Sequence, residues 1–192
     1  MNKPEGLQNE LSQSTGRSAH AMSLVLVSIA LLCIGSNAAL ATCLGTITAS
    51  TPTSDFVDNG DGTVTHTRSG LMWKQCSEGL SGAGCATGAA TTHTWQAALQ
   101  LVEALNGGGG FATYTDWRLP NVKELLMITE DRCFTPSINT TVFPATVSGI
   151  YWTASPYVST PTSAWNVDFN VSNDSAFAKT NPYYVRLVRG GP

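Results

Sequence analysis

Five cysteines, three histidines and a carboxyl-terminal stretch dense in Asn, Ser, Thr, Asp and Tyr hold most of the side chains with which this chain could do chemistry. Cys33 sits in an apolar run, which leaves Cys43, Cys76, Cys85 and Cys133 for the folded body. No CxxC pair and no His/Cys cluster is present, so no zinc or redox motif, no other metal and no cofactor is expected. An even number of cysteines in an exported chain implies two disulfides. Three pairings are open, and Cys76 with Cys85 closes the shortest loop at the least entropic cost, leaving Cys43 for Cys133. His66 falls on the outward face of an alternating strand and His93 just ahead of a helix, neither beside a nucleophile. Asp58, Asn59 and Asp61 crowd together, but Gly60 stands where an EF-hand needs a ligand, so turn chemistry explains them. Asp116 with Arg118, and Glu124 with Arg132, read as structural hydrogen-bond partners rather than acid and base. The chemistry expected of this chain is recognition, not catalysis.

More than half of the residues from Tyr157 to Tyr184 are Asn, Ser, Thr, Asp or Tyr, and Lys179 is the one basic residue among them. Tyrosine offers rigid amphipathic contact area while Ser and Asn offer adaptable hydrogen bonds, as on antibody-like surfaces. The expected ligand-binding residues are Tyr157, Ser159, Trp165, Asn166, Asp168, Asn170, Asn173, Ser175, Phe177, Lys179, Asn181 and Tyr183, with Ser172 beside them. Their partner is expected to be a surface protein or a glycan. Trp152, Val185, Leu187 and Val188 read as the framework beneath, and Trp165 belongs to both sets.

The elements that must carry this surface come from pattern. Phe56 opens a hairpin that turns through Asn59-Gly60-Asp61-Gly62 and returns through Thr63 to His66. Trp73, after a second turn at Arg68 to Gly70, reads as core. Thr94 caps a helix to Leu105, because Trp95, Ala98, Leu99, Val102 and Leu105 recur at helical spacing and Gly107 offers a left-handed stop. Asn121 and Glu124 form a capping pair for a second helix with Val122, Leu125, Leu126 and Thr129 on one face. Segments after Ser137 are short, aromatic and interrupted by Pro and Gly, as strands and loops are.

Residues 1–41 have the layout of an export signal, with Lys3 and Arg17 ahead of an apolar run from Met22 to Ile34 and small residues ending at Ala41. The run falls short of the roughly 20 residues that span a bilayer. Cleavage after Ala41 puts the mature protein in the medium, the periplasm or the cell surface; retained, the segment is the chain's link to a membrane. Residues 42–55 read as an extension and 56–191 as one domain. Lys and Arg number 10 against 13 Asp and Glu, for a net charge of −3 with no basic run. Nucleic acid is thereby disfavoured as a partner. A polyanion would need Arg118, Lys123, Arg132, Arg186 and Arg189 to gather in space.

Six motifs in order, DNGDGTVTHTRSGLMW, TWQAALQLVEALN, TDWRLPNVKEL, INTTVFP, YWTASP and YYVRLVRGG, resemble the family of the C-terminal domain of the Legionella collagen-like adhesin. The resemblance implies an α+β, C-type lectin-like fold in which two helices flank a small twisted, mostly antiparallel sheet with long loops. It also implies an adhesion or ligand-binding module. That adhesin's sulfated polysaccharide does not transfer, since this chain lacks Gly-x-y repeats and is net negative. Trp165, Asn166 and Asp168 only echo the calcium-binding triplet of C-type lectins, and no Glu-Pro-Asn loop accompanies them. The polar tail also resembles the variable segments of proteins diversified by retroelements. Two rivals are a structural envelope component with a fixed protein partner, and an enzyme akin to the formylglycine-generating enzymes, whose reactive cysteine pair has no counterpart in the Cys76–Cys85 loop.

Overall fold

The computed structural model describes residues 41–190. The expected export signal lies outside them, apart from Ala41. In chain order the elements are β1 (Thr42–Cys43), β2 (Phe56–Asp58), β3 (Thr63–His66), β4 (Leu71–Lys74), β5 (Leu80–Ser81), β6 (Thr87–Gly88), β7 (Thr92–His93), α1 (Trp95–Gly107), α2 (Val122–Leu126), β8 (Cys133–Phe134), β9 (Ile150–Pro156), β10 (Ser163–Asp168), β11 (Asn173–Ala178), β12 (Tyr183–Tyr184) and β13 (Val188–Arg189).

The strands form two principal sheets rather than one, in the orders β11-β10-β9-β12-β7 and β13-β4-β3-β2, with β1-β8 and β5-β6 as separate ribbons. All pairings are antiparallel except β12 beside β9. Among the described residues the architecture is therefore α+β, mostly antiparallel, with two helices and two disulfides. The bridges are Cys43–Cys133 and Cys76–Cys85, the pairing that loop entropy favours.

Local sequence explains each element. The hairpin pairs Phe56 with His66 and Asp58 with Val64, as the Asn-Gly and Asp-Gly turn dictates. His66 is a correction: it is buried, stacked at 4.9 Å on Phe56, and its Nδ1 meets Ser69 Oγ at 2.8 Å. Phe56 fills the edge of the sheet and draws the ring inward. Thr94 Oγ1 accepts from Ala97 N at the start of α1, but the helix runs on through Gly107. The left-handed stop falls at Gly109 and Gly110, where φ is 103° and 78°. At α2 both halves of the capping box form: Asn121 Oδ1 accepts from Glu124 N at 2.9 Å, and Glu124 Oε2 accepts from Asn121 N at 2.7 Å.

Two apolar clusters lie on opposite faces of the five-stranded sheet. Directly paired residues share a face, which puts Tyr151 and Val167 on one side and Trp152 and Asn166 on the other. The first face packs with Phe169, Leu125, Phe143, Trp73 and the four-stranded sheet. The second packs on α1 through Ala98 and Val102, with Trp117, Leu119, Val185 and Leu187. Trp73, Trp152, Val185, Leu187 and Val188 are fully buried, as framework residues should be.

Ser50 and Thr51, ahead of β2, are held by Glu130. Its buried carboxylate accepts from Ser50 N at 2.9 Å, Thr51 N at 3.0 Å and Thr51 Oγ1 at 3.0 Å. Burial pushes that carboxyl up, and the donors from Ser50, Thr51 and Arg132 more than reverse it, holding it below the ordinary range.

Candidate binding site

The polar tail folds as β10, β11 and β12, and alternation along these strands sorts its side chains into three groups. The first lies on the α1 side of the five-stranded sheet. Ser175 stands opposite Asn166, and Phe177 opposite Ala164. Tyr183 packs on Trp152 at 4.8 Å and on Phe177 at 5.9 Å, while Asn181 Nδ2 donates to Tyr183 Oη at 3.0 Å. Lys179 closes the group, with its Nζ 4.3 Å from the Trp95 ring and donating to Pro161 O at 2.8 Å.

Trp95 is the residue that sequence reasoning placed in a helix face and not at the surface group. It is half-buried because Trp95 Nε1 donates to Thr153 O at 2.8 Å and its backbone N to Lys179 O at 3.0 Å, seating the head of α1 against the end of β11. The signal was available in its position directly after the cap, where a large ring overhangs the helix start. The result is a patch of Trp95, Phe177, Lys179, Asn181 and Tyr183 with Ser175 at its margin. Phe177 is 39% exposed, and Trp95, Lys179, Asn181 and Tyr183 are each partly exposed.

The second group is on the opposite face, where Tyr157 meets Trp165 edge-on at 5.1 Å, with Ser159 and the 88% exposed Val158 in the loop beyond. The third is the β10–β11 turn. Asp168 Oδ1 accepts from Asn170 N at 2.8 Å, and Asn170 Oδ1 accepts from Ser148 Oγ at 3.0 Å and Thr135 Oγ1 at 3.3 Å. Asn173 begins β11 beside that turn, opposite Asp168. The twelve residues therefore do not form one face.

Asn166 is a correction. It is 0% exposed in the middle of β10, flanked by Trp152 on β9 and Ser175 on β11, and neither end of its amide has a hydrogen-bond partner among the described residues. β10 is an inner strand, between β9 and β11, and the buried Trp152 ring beside Asn166 leaves no solvent for it. Trp165, on the other face, is half-buried.

The arginines are paired with acids or buried rather than free for a polyanion. Arg118 makes a fork with Glu124 at 2.7 and 2.8 Å, Arg189 pairs with Asp116 at 2.7 Å, and Arg132 lies 3.7 Å from Glu130. These contacts replace the Asp116–Arg118 and Glu124–Arg132 pairings expected from sequence. The Arg189 hydrogen bond holds the Asp116 carboxyl below its usual value. Arg186 is buried, donating to the carbonyls of Lys74 and Gln75, to Ser77 Oγ at 3.1 Å and to Thr146 Oγ1 at 2.7 Å. Burial lowers its pKa.

Among the described residues no group of three His, Cys, Asp or Glu side chains could hold a metal ion, and no helix is long and apolar enough to cross a membrane. No curated protein matches the chain. The Lcl C-terminal domain model matches residues 62–189, a span that runs from the β2–β3 turn through the patch to β13. By that match, over about two thirds of its length, the chain belongs to the Lcl C-terminal domain family.

Proposed function

We propose that this protein is an exported adhesion or ligand-binding module of C-type lectin-like build, secreted or held at the cell surface. It engages a surface protein or glycan through Trp95, Phe177, Lys179, Asn181 and Tyr183. The observation that carries this reading is the packing of Tyr183 between buried Trp152 and exposed Phe177. It fixes an aromatic and polar patch from below, and a rigid patch loses little entropy on binding. Two disulfides support an oxidising compartment. Family membership supports adhesion.

Diversification by a retroelement would have to respect the burial of Asn166 and fall on the exposed positions around it. A reverse transcriptase gene and a near-copy of the 3′ end, differing chiefly at adenines, would accompany it in the flanking locus.

The test is binding of the labelled full chain to a glycan array and to immobilised extracellular matrix proteins, comparing wild type with Phe177→Ala and Lys179→Ala. Loss of the bound signal in both variants, with an unchanged melting temperature, is expected. Retention in both overturns the patch.

A further inference from the structure

A groove of about 870 Å³ opens at the β2–β3 turn end of the four-stranded sheet, and none of the twelve expected residues lines it. One wall is the β2–β3 turn with Asp58, Asp61 and Gly62; the other is the Cys76–Cys85 loop from Leu80 to Gly84. Lys74 and Gln75 lie along it, and Phe111, Thr141 and Pro144 complete the lining. Its volume falls within the range of small-ligand sites, roughly 300–1,000 Å³.

The walls are held. Cys76–Cys85 ties the loop, and Gln75 N donates to Gly62 O at 2.9 Å. Gly62, at φ 85°, lets the Phe111 ring approach, since a Cβ there would lie 3.0 Å from it.

The charges decide what fits. Asp58 Oδ1 accepts from Gly60 N, and Asp61 Oδ1 accepts from Thr63 N and Oγ1; the second oxygen of each takes no hydrogen bond among the described residues. Lys74 donates one N–H to Glu78 at 2.6 Å and sits 4.6 Å from the Phe111 ring. Two N–H groups of that ammonium remain. Gln75 uses its Nε2 on Val142 O, which leaves its Oε1 as an acceptor. An anion meets two carboxylates at the turn, and the charge of Lys74 is already answered by Glu78, so the groove offers acceptors at Asp58, Asp61 and Gln75 and N–H donors at Lys74 rather than a free positive charge. A sugar hydroxyl both donates and accepts, and so matches carboxylate and ammonium together.

The geometry points to this groove as a second binding site, for an uncharged oligosaccharide. It is separate from the patch of the proposed function, and its failure leaves that reading intact.

The experiment titrates the full chain calorimetrically with maltotriose, cellotriose and triacetylchitotriose, with dextran sulfate as competitor. At least one trisaccharide binds, and Ala83→Trp, which fills the mouth from an exposed position, weakens it about tenfold or more, equivalent to about 1.4 kcal/mol. Asp61→Asn weakens it in the same direction while keeping its Oδ1 cap, and Phe177→Ala does not change it. No binding by any of the three sugars, binding that survives Ala83→Trp, loss in Phe177→Ala, or displacement by dextran sulfate each overturns the inference.

Discussion

Tyr151 and Arg186 share one hydroxyl: Ser77 Oγ lies 2.8 Å from Tyr151 Oη and accepts from Arg186 Nη2 at 3.1 Å. All three are buried, and the charge is met by carbonyls and hydroxyls rather than by a carboxylate. This node joins β9, the chain after β4 and the strand-to-strand connection before β13. Arg186→Lys keeps the charge but cannot reach four acceptors, so buried carbonyls and hydroxyls lose partners at about 1–3 kcal/mol each. A loss of roughly 3 kcal/mol in urea unfolding is expected, with the slope against denaturant unchanged. A loss under about 1 kcal/mol would show that the node is not structural.

Depth of burial along the α1 side of the sheet predicts different costs. Trp152→Ala empties a fully buried site and costs about 3–5 kcal/mol. Phe177→Ala and Lys179→Ala, at the surface, shift stability by about 0.5 kcal/mol or less. Tyr183 is half-buried on Trp152, so its removal weakens both binding and stability. Asn166→Val is expected to be neutral or stabilising, because an amide without partners gains nothing from being polar. Thermal and denaturant unfolding of these variants checks the order; strong destabilisation by Asn166→Val contradicts the unpartnered amide.

The disulfides differ in span. Cys43–Cys133 closes a separation of 90 residues and Cys76–Cys85 one of 9. Chain entropy gives about 4–5 kcal/mol for the long loop and about 2–3 kcal/mol for the short one. Double alanine replacements at each bridge, melted side by side, should show the larger loss for Cys43/Cys133. Equal or reversed losses would mean that the long bridge does not constrain the unfolded chain as supposed.

Acid should lower the stability of the protein in two pH windows. His66 is held below its ordinary pKa, first by burial and further by Arg68, with Asp55 opposing. Stability that depends on its neutral ring is intact above the unfolded value near 6.5 and is lost as pH falls through the folded one. Glu130 is also depressed, so its contribution is complete above the unfolded value near 4.3 and disappears at lower pH. Denaturation from pH 8 to 3 should flatten in the upper window for His66→Gln and in the lower for Glu130→Gln. A His66→Gln profile that matches wild type between pH 7 and 5 sinks the first assignment.

What the sequence disclosed was local. The capping box at Asn121 and Glu124 needs only four adjacent residues, and the hairpin of Phe56 and His66 only its turn. The shorter disulfide followed from loop closure. Pairings across the chain were not legible: Arg189 reaches Asp116 from 73 residues away, where spacing alone had paired Asp116 with Arg118. The tail's composition identified strands with a polar surface but not which residue faces where. Asn166 is buried because β10 is an inner strand between β9 and β11, and Trp95 joins the surface group because its backbone anchors to Lys179 just past β11. Tertiary position, unlike turn or cap chemistry, has no short-range signature.

The Trp95–Phe177–Lys179–Tyr183 surface is the proposed site of contact. The most direct measurement compares the array and matrix binding of Phe177→Ala and Lys179→Ala with that of Tyr157→Ala, on the opposite face, all at matched melting temperature. The first two are expected to lose binding about tenfold or more, at least ~1.4 kcal/mol, and Tyr157→Ala to keep it. Binding that survives at Phe177 and Lys179 but is lost at Tyr157 would contradict this assignment.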